Sequence, residues 1–465
     1  MAYSLGDKKI NLIVFTLLQL FIFTYGIIIF LINYSEVSDF KFSLYYVILS
    51  IASLILCWFL SERKLNLFFL YLVCFHLFIG GRFYVCIFDT TLSPFETTFF
   101  FDYKFSKKWI VELLNYVYSC VFFLVIGYYL SKRFLIKKIA NVESRYINPN
   151  FIKSIGGKLF WIIGVILLYM GIKAVIYSFQ HGYAYVEELV TNQVYNVSLI
   201  EKLAPMLLIF FLAITFCYTK DLNKRYLMLY GVYGIILLIS GTRAAFASAL
   251  LLGIWLYSMD NKISLFRIIL FIIIGLCFLL IIFSLTSRGT GLDSFSLLDG
   301  IKIFFYTNGV SLMVFDACRL IDNYPTIGYV QTFIPGATLI YSKIQNGVSP
   351  QDAMFSNRLC YELNPDLFAN GAGLGWTTLS DFYVFASGNI FYFCIFAVIL
   401  GWLMGTLESW SKSSIFYKFL VISITQNVLM MPRGLLSSFF IQIIYSFMFY
   451  IILHNIAKYK YKIVR

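Results

Sequence analysis

Ser240-Gly241-Thr242-Arg243-Ala244-Ala245-Phe246 puts an arginine at the tip of a hairpin between two uncharged apolar runs, residues 226–239 and 244–259. As helices of about 14 to 16 residues, these runs rise roughly 21 to 24 Å, short of the ~30 Å hydrocarbon core of a bilayer. Arg243 is therefore expected below the membrane surface. A guanidinium at that depth is costly unless it faces protein or a water-filled cavity, so an intramembrane charge marks a functional site by default.

The rest of the chain supports a membrane setting. Its 465 residues are 60% hydrophobic and 20% aromatic, with a mean hydropathy of +0.83, which places it among all-α integral membrane proteins. Apolar runs predict about twelve transmembrane helices, near residues 10–33, 43–60, 65–88, 109–130, 159–179, 199–219, 226–240, 244–259, 265–287, 382–405, 415–431 and 435–455. The first is too long for a signal-peptide core and is expected to be retained.

Charge sets the orientation. The N-terminus, residues 61–64, 131–158, 220–225, 260–267 and 406–418 and the tail from 456 hold 22 of the 36 basic residues but 6 of the 23 acids. By the positive-inside rule these face the cytoplasm, with both termini. The net charge of +13 is then a topology signal. No soluble domain carries a basic stripe, so a nucleic-acid partner is not expected.

On the other side lies one connection of about 94 residues, 288–381. Its aromatic and aliphatic content and its evenly spaced Gly and Pro argue for structure. The chain thus divides into helices 1–9 over residues 1–287, the loop 288–381, and helices 10–12 over 382–465. Within the loop, 300–321 reads as an amphipathic helix lying on the membrane. The alternative is another span, with a partner near 327–344. Of the nine cysteines, Cys318 and Cys360 are the candidates for one outer disulfide.

The sequence has no P-loop, no Gly-x-Gly-x-x-Gly opening a helix, no His-Glu-x-x-His, no Asp-x-Asp and no cysteine cluster. No nucleotide, metal or other cofactor is therefore expected. What it does have is arginines at the outer ends of spans and on the outer loop: Arg82, Arg243, Arg288, Arg319 and Arg433. Guanidinium forks bind phosphate oxygens in pairs, and several together suit a diphosphate. The alternative is that each pairs with a nearby acid or snorkels to the interface. A diphosphate clamp within a membrane domain points to a lipid-linked substrate, with Arg243 stabilising the leaving group. Glycosyl transfer also needs a base. Asp381 and Glu362 are the preferred carboxylates, beside Asp316, Asp322, Asp366 and His181. Tyr306, Tyr324, Tyr329, Trp376 and Tyr383 are candidates for stacking on sugar rings.

Together these residues resemble a known family. Leu-Ile-Ser-Gly-Thr-Arg-Ala-Ala-Phe-Ala-Ser-Ala-Leu-Leu (238–251), Gly-Gly-Arg-Phe (80–83), one long outer loop late in the chain and Gly-Leu-Gly-Trp-x-x-Leu-Ser-Asp (373–381) are similar to features of bacterial O-antigen polymerases (Wzy). The resemblance implies a GT-C-like membrane fold without a metal, in the bacterial inner membrane with its active site facing the periplasm. It implies polymerisation of undecaprenyl-diphosphate-linked oligosaccharide repeat units, in partnership with a Wzz-like chain-length regulator. Arg243 matches the family's hairpin arginine, and Arg288 and Arg433 match its outer-loop arginines more loosely. The alternatives are a flippase of the same lipid-linked sugar and an O-antigen ligase. A flippase should have charge along a path between the two faces, whereas here the ionisable residues of the spans cluster on the outer side.

Overall fold

The structure, a computed structural model, describes residues 5–61, 65–96, 107–134, 147–181, 198–240, 243–260, 266–267, 270, 273–275, 297–344, 348–369 and 373–463. Every regular element among them is helical. First come α1 (Leu5–Tyr34), α2 (Asp39–Leu60), α3 (Leu67–Phe78), α4 (Gly81–Phe88), α5 (Lys107–Phe134) and α6 (Pro149–His181). α7 (Leu199–Tyr218), α8 (Lys220–Ile239) and α9 (Arg243–Asp260) follow. The long loop holds α10 (Leu297–Asn308), α11 (Ser311–Cys318), α12 (Thr326–Phe333), α13 (Ala337–Ile344), α14 (Phe355–Leu363), α15 (Pro365–Ala369) and α16 (Thr378–Phe385). α17 (Ile390–Ser411), α18 (Ile415–Met430) and α19 (Leu436–Ile463) end the chain. Local chemistry starts several of them: Asn66 caps α3 through the Phe69 N–H at 2.7 Å, and Ser198 and Glu201 form a capping box on α7.

Ten described helices are long and apolar enough to cross a membrane. The bent pair α3–α4, with 59° between its halves, makes eleven, and Phe246–Met259 is a shorter apolar helix. The protein is a multi-pass membrane protein. Residues 265–287, the ninth expected span, lie largely outside the described residues.

Central and peripheral spans differ in what surrounds them. Only 17% of the apolar stretch in α1, and the same share in α6, is buried within the protein, against 67% in α5. With no hydrophobic drive between helices in lipid, tight association depends on backbone approach at small residues. The α5–α17 pair is built this way. A Cβ on Gly127 would lie 2.1 Å from the Val398 carbonyl oxygen, and one on Gly401 would lie 2.1 Å from that of Leu124. One on Gly405 would meet Ser131 Oγ at 1.8 Å. At the end of this seam Lys132 lies 3.3 Å from Glu408, and the Tyr128 hydroxyl bridges Asn66 and Glu408.

Four sequence expectations change. α8 starts at Lys220, before the uncharged run, because a helix does not stop at cations whose stems can snorkel. Its 20 residues rise about 30 Å, so Arg243 is not drawn inward by a short helix. The span expected at 382–405 is two elements: α16 ends at Phe385, Ser387 (φ 49°) and Gly388 (φ 73°) turn the chain left-handed, and Asn389 caps α17. The interfacial helix expected at 300–321 is α10 and α11. All eight residues of α11 are buried, so it is an internal helix, and residues 298–318 together also pass as a span. Cys318 and Cys360 are both buried thiols, so the outer disulfide for which they were candidates is not formed.

The glycine seam is testable. Gly401→Ala should lower the thermal midpoint and the folded yield of the purified protein, an overpacking cost of about 1–3 kcal/mol or more. Gly157→Ala, where a Cβ meets nothing within 4 Å, should match wild type. Equal stability of the two variants would contradict the assigned packing.

Candidate functional site

The bend between α3 and α4 is made by Gly80 and Gly81. A side chain at 80 would strike the Tyr46 ring at 2.2 Å, and one at 81 would lie 2.4 Å from the Phe305 carbonyl oxygen of α10. Gly309, just past α10, returns the contact: a Cβ there would lie 2.5 Å from the Arg82 backbone nitrogen and 2.8 Å from its Cγ. The two backbones therefore touch, and Arg82 is held in the first turn of α4 with 2% of its surface exposed. Its Nη1 donates to the Glu96 carbonyl at 2.6 Å, and its guanidinium stacks 4.5 Å from the centroid of Tyr306. The Tyr306 hydroxyl donates to the Glu96 carboxylate at 2.9 Å, while Nε of Arg82 has no hydrogen-bond partner. Tyr306 thus serves the arginine.

Arg433 approaches the same place from the other side. It ends the turn Met431–Arg433 after α18 and is exposed. Its Nη1 donates to Asn308 Oδ1 at 3.2 Å, and its guanidinium lies 5.8 Å from the Phe78 ring centroid. Both arginines converge on the C-terminal end of α10, where unpaired carbonyls give the helix its negative pole. One faces outward and the other lies beneath.

α16 holds the Arg433 turn in place. Thr377 caps it, Thr378 donates its hydroxyl to the Met431 carbonyl at 2.6 Å, and Asp381 accepts the Leu436 N–H at 2.7 Å. The other Asp381 oxygen accepts the Trp376 indole N–H at 2.9 Å. Gly375, at φ 85°, takes the left-handed turn that brings Trp376 there. Asp381 is 1% exposed and outside the candidate spans. Burial pushes its carboxyl up to about 7, against the lowering effect of the Leu436 and Trp376 donors.

Arg319 and Glu362 lie elsewhere. Arg319, 1% exposed, sits 3.0 Å from Glu112 and 3.3 Å from Asp316 and stacks on Trp109 at 4.7 Å. Two carboxylates neutralise it, and it ties α11 to α5. Glu362 pairs with Arg358 at 2.6 Å, and Arg358 also reaches Asp352. Tyr324, Tyr329 and Trp376 pack with Phe355 at centroid separations of 4.9 to 6.1 Å, and Tyr383 packs on Tyr116 and Phe315. Tyr324, Tyr329 and Trp376, three of the candidates for stacking on sugar rings, thus also pack within the loop itself.

Arg243 opens α9, but its side chain, like all of Arg288, lies outside the described residues. Topology still sets its end of the bundle. Cys217, at the end of α7, lies 4.0 Å from the Ile415 carbonyl at the start of α18, and Lys418 caps the Phe216 ring at 4.7 Å. The α7–α8 and α17–α18 junctions therefore share one end. The far ends of α8 and α18, with the Arg243 hairpin and the Arg433 turn, share the other. α9 packs on both α8 and α18.

Sequence reasoning missed Asn308 and Glu112, partners 125 and 207 residues from the arginines they meet; no local signal points to them. Asp316, three residues before Arg319, was a local signal for pairing.

Titration tests the role of Asp381. The folded state holds this proton up to about 7, whereas a free aspartate releases it near 3.8. Its contribution is therefore complete below about 3.8, declines as pH rises and is lost above about 7. The thermal midpoint should fall as pH rises from about 3.8 to about 7, and Asp381→Asn should flatten that decline. Parallel slopes for wild type and variant would contradict the assignment.

No curated protein and no solved structure matches the chain. A family model does: the one described as O-antigen polysaccharide polymerase Wzy matches residues 12–462. With ten or more helices long and apolar enough to cross a membrane and a match that runs nearly end to end, the protein belongs to the O-antigen polysaccharide polymerase Wzy family.

Proposed function

We propose that the protein joins undecaprenyl-diphosphate-linked oligosaccharide repeat units, moving the growing chain from its lipid carrier onto a new lipid-linked unit. The observation that carries this reading is the convergence of Arg82 and Arg433 on Asn308–Gly309, in a chain matched nearly end to end by the family.

In this mechanism an acceptor hydroxyl oxygen attacks the anomeric carbon of the donor sugar. The bond from that carbon to the diphosphate oxygen breaks, and its electron pair leaves with the lipid diphosphate. Arg433 receives that charge from the outside. Arg243 and Arg288 are assigned to the same clamp from their sequence pattern, and Arg82 braces it from beneath with its unpartnered Nε. Preorganised cations where charge develops lower the barrier to departure. The clamp takes the place of a divalent ion, in keeping with the absence of Asp-x-Asp. Of the two preferred carboxylates, Glu362 lies away from the two arginines, paired with Arg358 at 2.6 Å, and is assigned to that ion pair, so the hydroxyl proton passes to water. Asp381, with both oxygens engaged, is assigned to positioning the Arg433 turn. Arg319, neutralised by two acids, is assigned a structural role.

The basic residues Lys132, Lys412 and Lys418 sit at the end of the bundle away from Arg433. This supports a cytoplasmic location for that end and the termini, with the clamp facing the periplasm of the inner membrane. A Wzz-like chain-length regulator is the proposed partner.

Purified protein incubated with a defined lipid-linked repeat unit should give a mass ladder of products. Arg433→Ala should slow chain growth by roughly 10²- to 10³-fold while leaving folded yield intact. Arg319→Ala should lower folded yield first, because it removes the cation beside the buried Asp316. Unchanged ladders from Arg433→Ala, or translocation of the lipid-linked unit without growth, would refute the polymerase reading.

A further inference from the structure

An apolar trough of 290 Å³ runs between α12 and α13, walled by Ile327, Val330, Ile334, Ile340, Tyr341 and Ile344. The two helices are joined through Gly336 at φ 78°. The Gln331 side-chain oxygen fixes their angle, accepting the Thr338 N–H at 3.0 Å and hydroxyl at 2.7 Å. At eight residues each, they rise about 12 Å and cannot cross a bilayer. Yet Leu339, Ile340 and Ile344 are 60 to 73% exposed. In a membrane protein such a face belongs at the hydrocarbon margin.

The trough lies beside the helix that follows the arginine turn. α12 packs along α19, with Phe333 4.9 Å from Phe440, and the turn just before α19 is the one that carries Arg433. We propose that the trough seats the isoprene units nearest the diphosphate of the lipid-linked substrate. This rests on the reading that the substrate is polyprenyl-diphosphate-linked. A volume of 290 Å³ is at the low end of ligand pockets, about 300–1,000 Å³, so it takes a short stretch of the chain while the remainder lies in lipid. Tethered to a diphosphate already held at Arg433, that stretch binds as an intramolecular event. The site would therefore read both the charge and the branched aliphatic chain of its donor.

The test uses the full-length protein in phospholipid nanodiscs with a diazirine-bearing polyprenyl diphosphate. Crosslinks should fall within residues 326–344 and be suppressed by excess unlabelled polyprenyl diphosphate but not by excess phosphatidylglycerol. Ile340→Asp, at an exposed position that leaves the fold intact, should cut that labelling roughly tenfold, and Ile340→Leu should restore it. Labelling elsewhere, equal suppression by phosphatidylglycerol, or labelling unchanged in Ile340→Asp would each overturn the proposal. Specific labelling of a protein that shows no chain growth would uphold the trough and sink the polymerase reading.

Discussion

A guanidinium removed from water must be repaid in hydrogen bonds and opposite charge, and the way each arginine meets that demand organises the outer end of this protein. Arg319 meets it with two carboxylates and two aromatic faces. That pairing leaves no charge for a ligand, but it locks the buried helix α11 to α5. Arg82 is satisfied with two backbone carbonyls, one tyrosine ring and the nearby charge of the Glu96 carboxylate. Arg433 stays exposed and leans on an asparagine. The three differ in what surrounds them, not in chemistry, and of the three Arg433 is the one that stands exposed.

Glycine makes that arrangement reachable. In lipid, helices gain little by hiding apolar surface from one another, so close approach decides which pairs form. Gly127, Gly401 and Gly405 bring α5 and α17 into backbone contact and give the bundle a rigid axis. Gly80, Gly81 and Gly309 do the same where α4 meets α10. There the contact also bends the span by 59° and aims Arg82 at the end of α10. One device serves both the frame and the site.

Family membership and geometry speak to different levels. The match over residues 12–462 assigns the chain to O-antigen polymerases as a whole. The geometry separates arginines that such a match treats alike, and it gives Asp381 work as a clamp on the Arg433 turn through Leu436 and Trp376.

Composition alone fixes the solvent. An uncharged run of this length has few ways to satisfy its backbone in lipid, so the helical class and most span positions were legible in the letters. So was the gathering of Arg82, Arg243 and Arg433 at one end, because alternating spans put odd and even connections on opposite sides. Helix ends were less legible: α8 runs through Lys220–Arg225, and the break after Phe385 depends on Ser387 and Gly388 turning left-handed. Pairing was not legible at all. Whether an arginine meets a carboxylate or an amide depends on partners such as Glu112 and Asn308, more than a hundred residues away. Electrostatic energy follows distance in space, and only the folded chain supplies that distance.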